Sequence, residues 1–184
     1  ARGLAAPVAT GASSDTASAM AAALLGGEHK AILLGNAAAH HSQASQLLAL
    51  ANWIGEHTGA RVGYLTEAAN TVGAQWVGAQ PDATGLHAGQ MLGGGLKGVL
   101  LFNTEPQFDS AAGEGAAAAL GSADMVVTLS PFKTNMAFSD VLSPIAPFTE
   151  TSGSFVNDEG RLQSFHAVVR PLGETRPGWK VLRV

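Results

Sequence analysis

The apolar positions of this chain fall into short runs separated by longer stretches with a helical repeat. Ala31-Ile32-Leu33-Leu34-Gly35 shows no polar alternation, the pattern of a strand covered on both faces and hence of a parallel sheet. Further strands are predicted at Arg61-Val62-Gly63-Tyr64-Leu65, Gly98-Val99-Leu100-Leu101-Phe102 and Met125-Val126-Val127-Thr128-Leu129. Ahead of the first, Ser14-Asp15 caps a helix whose apolar residues Ala17, Met20, Ala21, Leu24 and Leu25 share one face, and Gly26-Gly27 ends it. A second helix begins at Ser42, with Ala44, Leu47, Leu48, Ala51 and Ile54 on its inner stripe and Gly59 after the last turn. Asp109 or Ser110 caps an Ala-rich third helix that closes at Gly121. The Gly-, Ala- and Gln-rich stretch 70–90 reads as irregular, with a short helix near Leu86 to Leu92.

Strands alternating with helices over short loops make βαβ crossovers. The predicted architecture is therefore a Rossmann-like, doubly wound α/β domain over 14–140 with a mainly parallel sheet. A loose lead-in precedes it over 1–13. Beyond Ser130, Pro-rich linkers replace the alternation, and 141–184 reads as an extended docking arm that contains a hairpin. In the string Thr149-Glu150-Thr151-Ser152-Gly153-Ser154-Phe155-Val156-Asn157-Asp158-Glu159-Gly160-Arg161-Leu162-Gln163, Gly153 opens the hairpin and Asn157 to Gly160 supply the turn. Glu150, Glu159 and Arg161 are the charges expected to tie it to a neighbouring domain. Pro177 suits the first turn of a helix whose buried face begins at Trp179, and the natural protein is expected to continue in both directions.

A length of 184 residues suits one compact domain. With 46% hydrophobic and only 13% charged residues, much of the surface is expected to pack against partners. The formal net charge of -4 supplies no basic field for nucleic acid or an anionic membrane. No apolar run reaches a membrane span, so no direct membrane insertion is expected. Cysteine is absent, which excludes disulfides, thiolate nucleophiles and cysteine-held iron-sulfur clusters within this stretch.

In an open α/β sheet, ligands settle beyond the carboxyl ends of the strands. That rule selects Gly35-Asn36, Thr66-Glu67, Asn103-Thr104-Glu105 and Ser130-Pro131 as one converging edge. Strand-end polar residues also cap backbone groups, and that plainer role competes at every one of these positions. Leu92-Gly93-Gly94-Gly95 precedes a strand instead of following one, the reverse of a dinucleotide fingerprint, and reads as a flexible turn. His40-His41 reads as a solvated loop pair. His29, His57, His87 and His166 are scattered without metal-ligand spacing, so no bound metal is expected. No catalytic residue stands out, since neither a Gly-x-Ser-x-Gly elbow nor a supported carboxylate pair occurs.

The string from Thr149 to Gln163 resembles one that follows the Rossmann-like domain in molybdopterin-dependent oxidoreductases. Within that family, the branch it most resembles is the large iron-sulfur subunit of bacterial NADH:quinone oxidoreductase, respiratory complex I. Asp140-Val141-Leu142-Ser143-Pro144-Ile145-Ala146-Pro147 and Pro171-Leu172-Gly173-Glu174-Thr175-Arg176-Pro177-Gly178-Trp179 are similar to that branch as well. So are Ala69-Asn70-Thr71-Val72-Gly73-Ala74 and Asn103-Thr104-Glu105-Pro106, while Ser143 stands where the family usually has an aliphatic residue. The resemblance runs from about Ala31 onward and implies a domain of the formate dehydrogenase and DMSO reductase type.

Two readings follow from the resemblance. The first is a cofactor-free scaffold, not catalytic alone, that packs against other domains of its subunit and other peripheral-arm subunits on the cytoplasmic face of the bacterial inner membrane. Iron-sulfur clusters would then lie elsewhere in a parent that passes electrons from NADH to quinone. Gly35, Asn36, Asn103 and Glu105 would be a vestigial cleft. The second is the pterin-dinucleotide-binding domain of an active molybdenum oxidoreductase, in which Asn103 and Glu105 lie where the nucleotide tail is held. A stand-alone nucleotide-binding module is a third reading, favoured by fold but by no fingerprint.

Overall fold

The computed structural model describes residues 3–9 and 11–183. The expected lead-in over 1–13 falls partly outside them, and its described part contains no helix or strand. The chain divides into two compact units, one of residues 1–72 with the short segment Val156–Arg161, the other of Gly73–Phe155 with Leu162–Val184.

In the first unit, β1 (Ala31–Leu34) and β2 (Arg61–Tyr64) pair in parallel, with Ala31 opposite Arg61. Helix α1 (Asp15–Gly26) starts as predicted, the Ser14 hydroxyl accepting from the Ala17 N–H at 3.1 Å. A single turn, α2 (Asn36–Ala39), then precedes α3 (Ala44–Thr58). The helix expected from Ser42 thus begins two residues later, because the His41 ring accepts from the Gln43 N–H at 3.0 Å and holds that stretch as a turn. Gly59 ends α3 at φ +73, its N–H bonded to the Gly55 carbonyl. The buried centre is made mostly of small residues, Ala51, Gly55 and Ala60, with Val156 the one larger buried side chain among this unit's described residues. Glycine is required at 55: an added Cβ would lie 2.6 Å from Val62 Cγ2 and 2.9 Å from the Ala60 carbonyl oxygen, so its absence lets α3 lie directly on β2.

In the second unit, β3 (Gly98–Phe102), β4 (Met125–Ser130) and β5 (Val141–Pro144) form a parallel sheet in that order. Its core is Leu101, Leu120 and Val126, packed on by Leu92, Val99, Ala123 and Phe138. The parallel α/β class is as expected from the sequence, with the strands shared between a two-stranded and a three-stranded sheet. Val141–Pro144, read as part of an arm, is an edge strand of the sheet paired to Val127–Ser130, and Ser143 sits half-buried opposite Leu129. Stretch 70–90, read as mostly irregular, contains α4 (Thr71–Trp76), and α5 (Ala88–Met91) falls inside the short helix predicted near it. His87 caps α5 in a reciprocal box with Gln90.

The Ala-rich helix is not capped by Asp109 or Ser110. Asp109 closes a separate turn, α6 (Pro106–Asp109), and α7 (Glu114–Gly121) starts after Gly113. The hairpin forms as predicted from β6 (Gly153–Val156) and β7 (Leu162–Phe165), and α8 (Gly178–Leu182) begins just after Pro177.

One expectation fails on burial. The apolar strands are not covered on both faces by the described residues: exposure alternates along β1, with Leu33 58% exposed, and along β3, with Leu100 56% exposed. An uninterrupted apolar run specifies that both faces avoid water but not that this chain supplies the cover.

Candidate functional site

The nine strand-end positions fall into two sets, one in each unit. In the first unit, Gly35 is extended at φ -102 and its carbonyl accepts from the Ala38 and Ala39 N–H groups at 3.0 Å, so its polar backbone is used to start α2. Asn36 is exposed at the head of that turn. His40 Nε2 lies 2.7 Å from Glu67 Oε2, joining the loops that follow β1 and β2. Both side chains are about two-thirds exposed (69% and 64%), so the pair contributes about 0–1 kcal/mol. His40, read as solvated, therefore has a definite partner.

Thr66 does something the sequence did not disclose. Its hydroxyl donates to Asp158 Oδ1 at 2.5 Å, and its N–H donates to Asp158 Oδ2 at 3.3 Å. Four residues on, Asn70 Oδ1 accepts from the Val156 N–H at 2.8 Å. The hairpin tip is thereby clasped by the loop after β2. Its turn is closed internally by Asn157, whose Oδ1 accepts from the N–H groups of Glu159 and Arg161 at 3.1 and 2.9 Å, with Gly160 at φ +78 completing the reversal. The charges expected to tie the hairpin do other work. Glu159 and Arg161 make a 4.0 Å exposed contact with each other, and Glu150 accepts from the Leu172 N–H at 3.0 Å. The signal missed was Asp158, the tip residue short enough to grip a neighbouring hydroxyl and amide at once.

In the second unit, the strand ends share a polar network. Asn103 follows β3 at φ +51, a conformation asparagine tolerates, and its N–H continues the ladder to the Leu129 carbonyl at 2.8 Å. Asp109 Oδ2 accepts from the Thr104 hydroxyl at 3.1 Å and the Glu105 N–H at 2.7 Å. The buried Ser130 hydroxyl donates to Glu105 Oε1 at 2.6 Å and accepts from the Phe132 N–H at 3.0 Å. Beneath these, Asn135 is 1% exposed: its Nδ2 donates to the Thr104 carbonyl at 2.9 Å, while its Oδ1 has no partner. Asn135 gave no signal in the sequence, being one polar residue in a stretch read as linker.

The network bears on whether a pterin dinucleotide suits these residues. A diphosphate needs free N–H or O–H donors and positive charge. Here the Thr104 and Ser130 hydroxyls and the Glu105 and Phe132 N–H groups are all engaged internally, and the acceptors that engage them include two carboxylates. A phosphate about 5 Å from one carboxylate is opposed by about 3 kcal/mol at an effective dielectric of about 20. Against these, the edge offers Lys133 and the exposed Asn103 amide. Lys97, by contrast, precedes β3 at the sheet's opposite end. In the first unit the same polarity recurs, with Lys30 and Arg61 at the amino ends of the strands and His40 paired to Glu67 at the carboxyl ends. The second unit's set, with its donors engaged and two carboxylates facing them, does not fit a diphosphate.

Among the described residues, no group of three His, Asp or Glu side chains is placed to hold a metal ion, and no helix is long and apolar enough to cross a membrane.

Comparison with known proteins places a family model described as Molybdopterin oxidoreductase over residues 11–184. The chain is 39% identical over 67 residues to a protein of Staphylococcus aureus (strain bovine RF122 / ET3-1) named "Putative formate dehydrogenase". That match spans 36% of this chain and 7% of the relative. Over 47 residues it is 45% identical to the mitochondrial NADH-ubiquinone oxidoreductase 78 kDa subunit of Candida albicans (strain SC5314 / ATCC MYA-2876), covering 26% of this chain and 6% of that protein.

Proposed function

We propose, since the chain belongs to the molybdopterin oxidoreductase family, that it is a cofactor-free structural domain of the large iron-sulfur subunit of an NADH:quinone oxidoreductase. The observation that carries this reading is the strand-end chemistry, where the donors a nucleotide tail needs are bonded to Glu105 and Asp109. In this role the domain supplies shape and contact surface. The parent passes electrons from NADH to quinone through iron-sulfur clusters held elsewhere, at the peripheral arm on the cytoplasmic face of the bacterial inner membrane. Apolar strand residues left in the open, Leu33 and Leu100 among them, suit packing against other domains of the same subunit and neighbouring arm subunits.

A second reading, a pterin-dinucleotide-binding domain of a molybdenum oxidoreductase, is favoured by the 67-residue match to the Staphylococcus protein. In that case Asn103 and Glu105 would contact the nucleotide tail. The bound group would supply the redox chemistry, while these residues would only hold and orient it. Elemental and pterin analysis of the purified full-length parent separates the two. Iron with neither molybdenum nor pterin supports the scaffold; stoichiometric molybdenum with a pterin refutes it.

A further inference from the structure

We propose that Glu105 is a built-in anion that closes the strand-end site of the second unit. The inference rests on the cofactor-free reading and deepens it by naming the group that excludes a ligand. At the end of a parallel sheet, hydroxyls and loop N–H groups face outward with unmet hydrogen-bonding demand, and an incoming oxyanion ordinarily satisfies it. Here a carboxylate of the chain itself does so. Glu105 Oε1 accepts from the hydroxyl of Ser130 at 2.6 Å, the distance of a charge-assisted O–H···O bond, and Ser130 is 1% exposed, so this donor is directed only at Glu105. The Ser130 oxygen in turn holds the Phe132 N–H at 3.0 Å, which commits the first donor of the loop after β4.

Asp109 repeats the arrangement one turn away on the Thr104 hydroxyl and the Glu105 N–H. The two carboxylates take up donors that an incoming oxyanion would otherwise use. They are tethered to the fold, so they bind at high effective concentration and exclude a free anion by both occupancy and charge. Glu105 is thus a specificity-determining residue whose effect is exclusion.

The test is a titration of inorganic pyrophosphate into the 184-residue chain, followed by 15N-resolved NMR, for the wild type, Glu105→Gln and Asp109→Asn. Each substitution keeps an acceptor oxygen in place and removes one charge. The expected result is no saturable shift in the wild type. Glu105→Gln should show saturable shifts confined to Thr104, Glu105→Gln itself, Ser130 and Phe132, with apparent affinity raised at least about tenfold. Asp109→Asn should show a smaller gain at the same amides and serves alone if the first variant does not fold. Equal pyrophosphate binding by the wild type and either folded variant, or no gain in both, overturns the proposal. Molybdenum in the parent would end the cofactor-free reading whatever the titration shows, whereas a failed gain here removes only the role of Glu105.

Discussion

Replacing Gly55 by alanine sets two known effects of opposite sign against each other. Gly55 lies in the last turn of α3, where alanine is favoured over glycine by about 1 kcal/mol on intrinsic helix propensity. The added methyl, however, would lie 2.6 Å from Val62 Cγ2 and 2.9 Å from the Ala60 carbonyl oxygen. Valine is stiff at χ1, and the Ala60 oxygen belongs to the turn that Gly59 makes at φ +73, so neither neighbour yields without moving β2 off the helix. Overpacking of this kind costs about 1–3 kcal/mol. The steric term wins, and Gly55→Ala should be destabilised by about 1–2 kcal/mol net, taking the upper part of that range. Gly115 is the control. It sits in α7 with open space where its Cβ would go, and Gly115→Ala should be neutral or stabilised by up to about 0.5 kcal/mol. Urea unfolding of both variants, read by circular dichroism, checks the pair. A Gly55→Ala protein as stable as wild type would show that α3 and β2 do not meet as closely as described.

The hairpin clasp predicts a coupling. In a double-mutant cycle of Thr66→Val and Asp158→Ala, the interaction term should be about 1 kcal/mol, and hydrogen exchange at Val156 to Arg161 should quicken in each single variant; additive effects would dissolve the clasp. Asn135→Ala should cost about 1–2 kcal/mol by stranding the Thr104 carbonyl, and Asn135→Asp more than that at neutral pH, because a carboxylate then faces a carbonyl in a buried place; equal melting temperatures for wild type and Asn135→Asp would contradict this. Asp82 is held below the usual Asp pKa by the Thr84 hydroxyl first, then by the Thr84 and Gly85 N–H groups, against a small opposing effect of burial. A depressed folded-state pKa means its turn is fully stabilised above the ordinary Asp value and loses that support only as pH falls through the lowered one. An NMR titration of the Asp82 carboxyl should show this midpoint, and Thr84→Ala should raise it; an unchanged midpoint in Thr84→Ala would assign the shift to another cause.

Strands and caps were legible because their signals are local. Ser14 caps α1, Gly59 terminates α3, and the turn residues Asn157 to Gly160 close the hairpin, each through contacts within a few residues. Contacts between distant segments were not. Nothing near Asp158 announces Thr66, 92 residues away, and nothing near Asn135 announces the Thr104 carbonyl. Val141–Pro144 escaped as a strand because its proline and serine lack the β-branched density of the other runs, and its place is set by pairing with β4. The strand-end rule selects Asn103, which directly follows β3, Glu105 in the loop beyond it, and Ser130, the last residue of β4. It could not tell whether their polar groups reach outward to a ligand or inward to one another, since that depends on side-chain partners. Ser130 turns inward to Glu105, whose N–H is in turn held by Asp109, while the Asn103 amide stays exposed.

The most direct test of the account is a cryo-electron microscopy map of the intact parent assembly at side-chain resolution. The account predicts that Glu105 remains bonded to Ser130 and that Leu33 and Leu100 are covered by protein, with no pterin at either set of strand ends. Density for a pterin dinucleotide against Asn103 and Glu105 would contradict it.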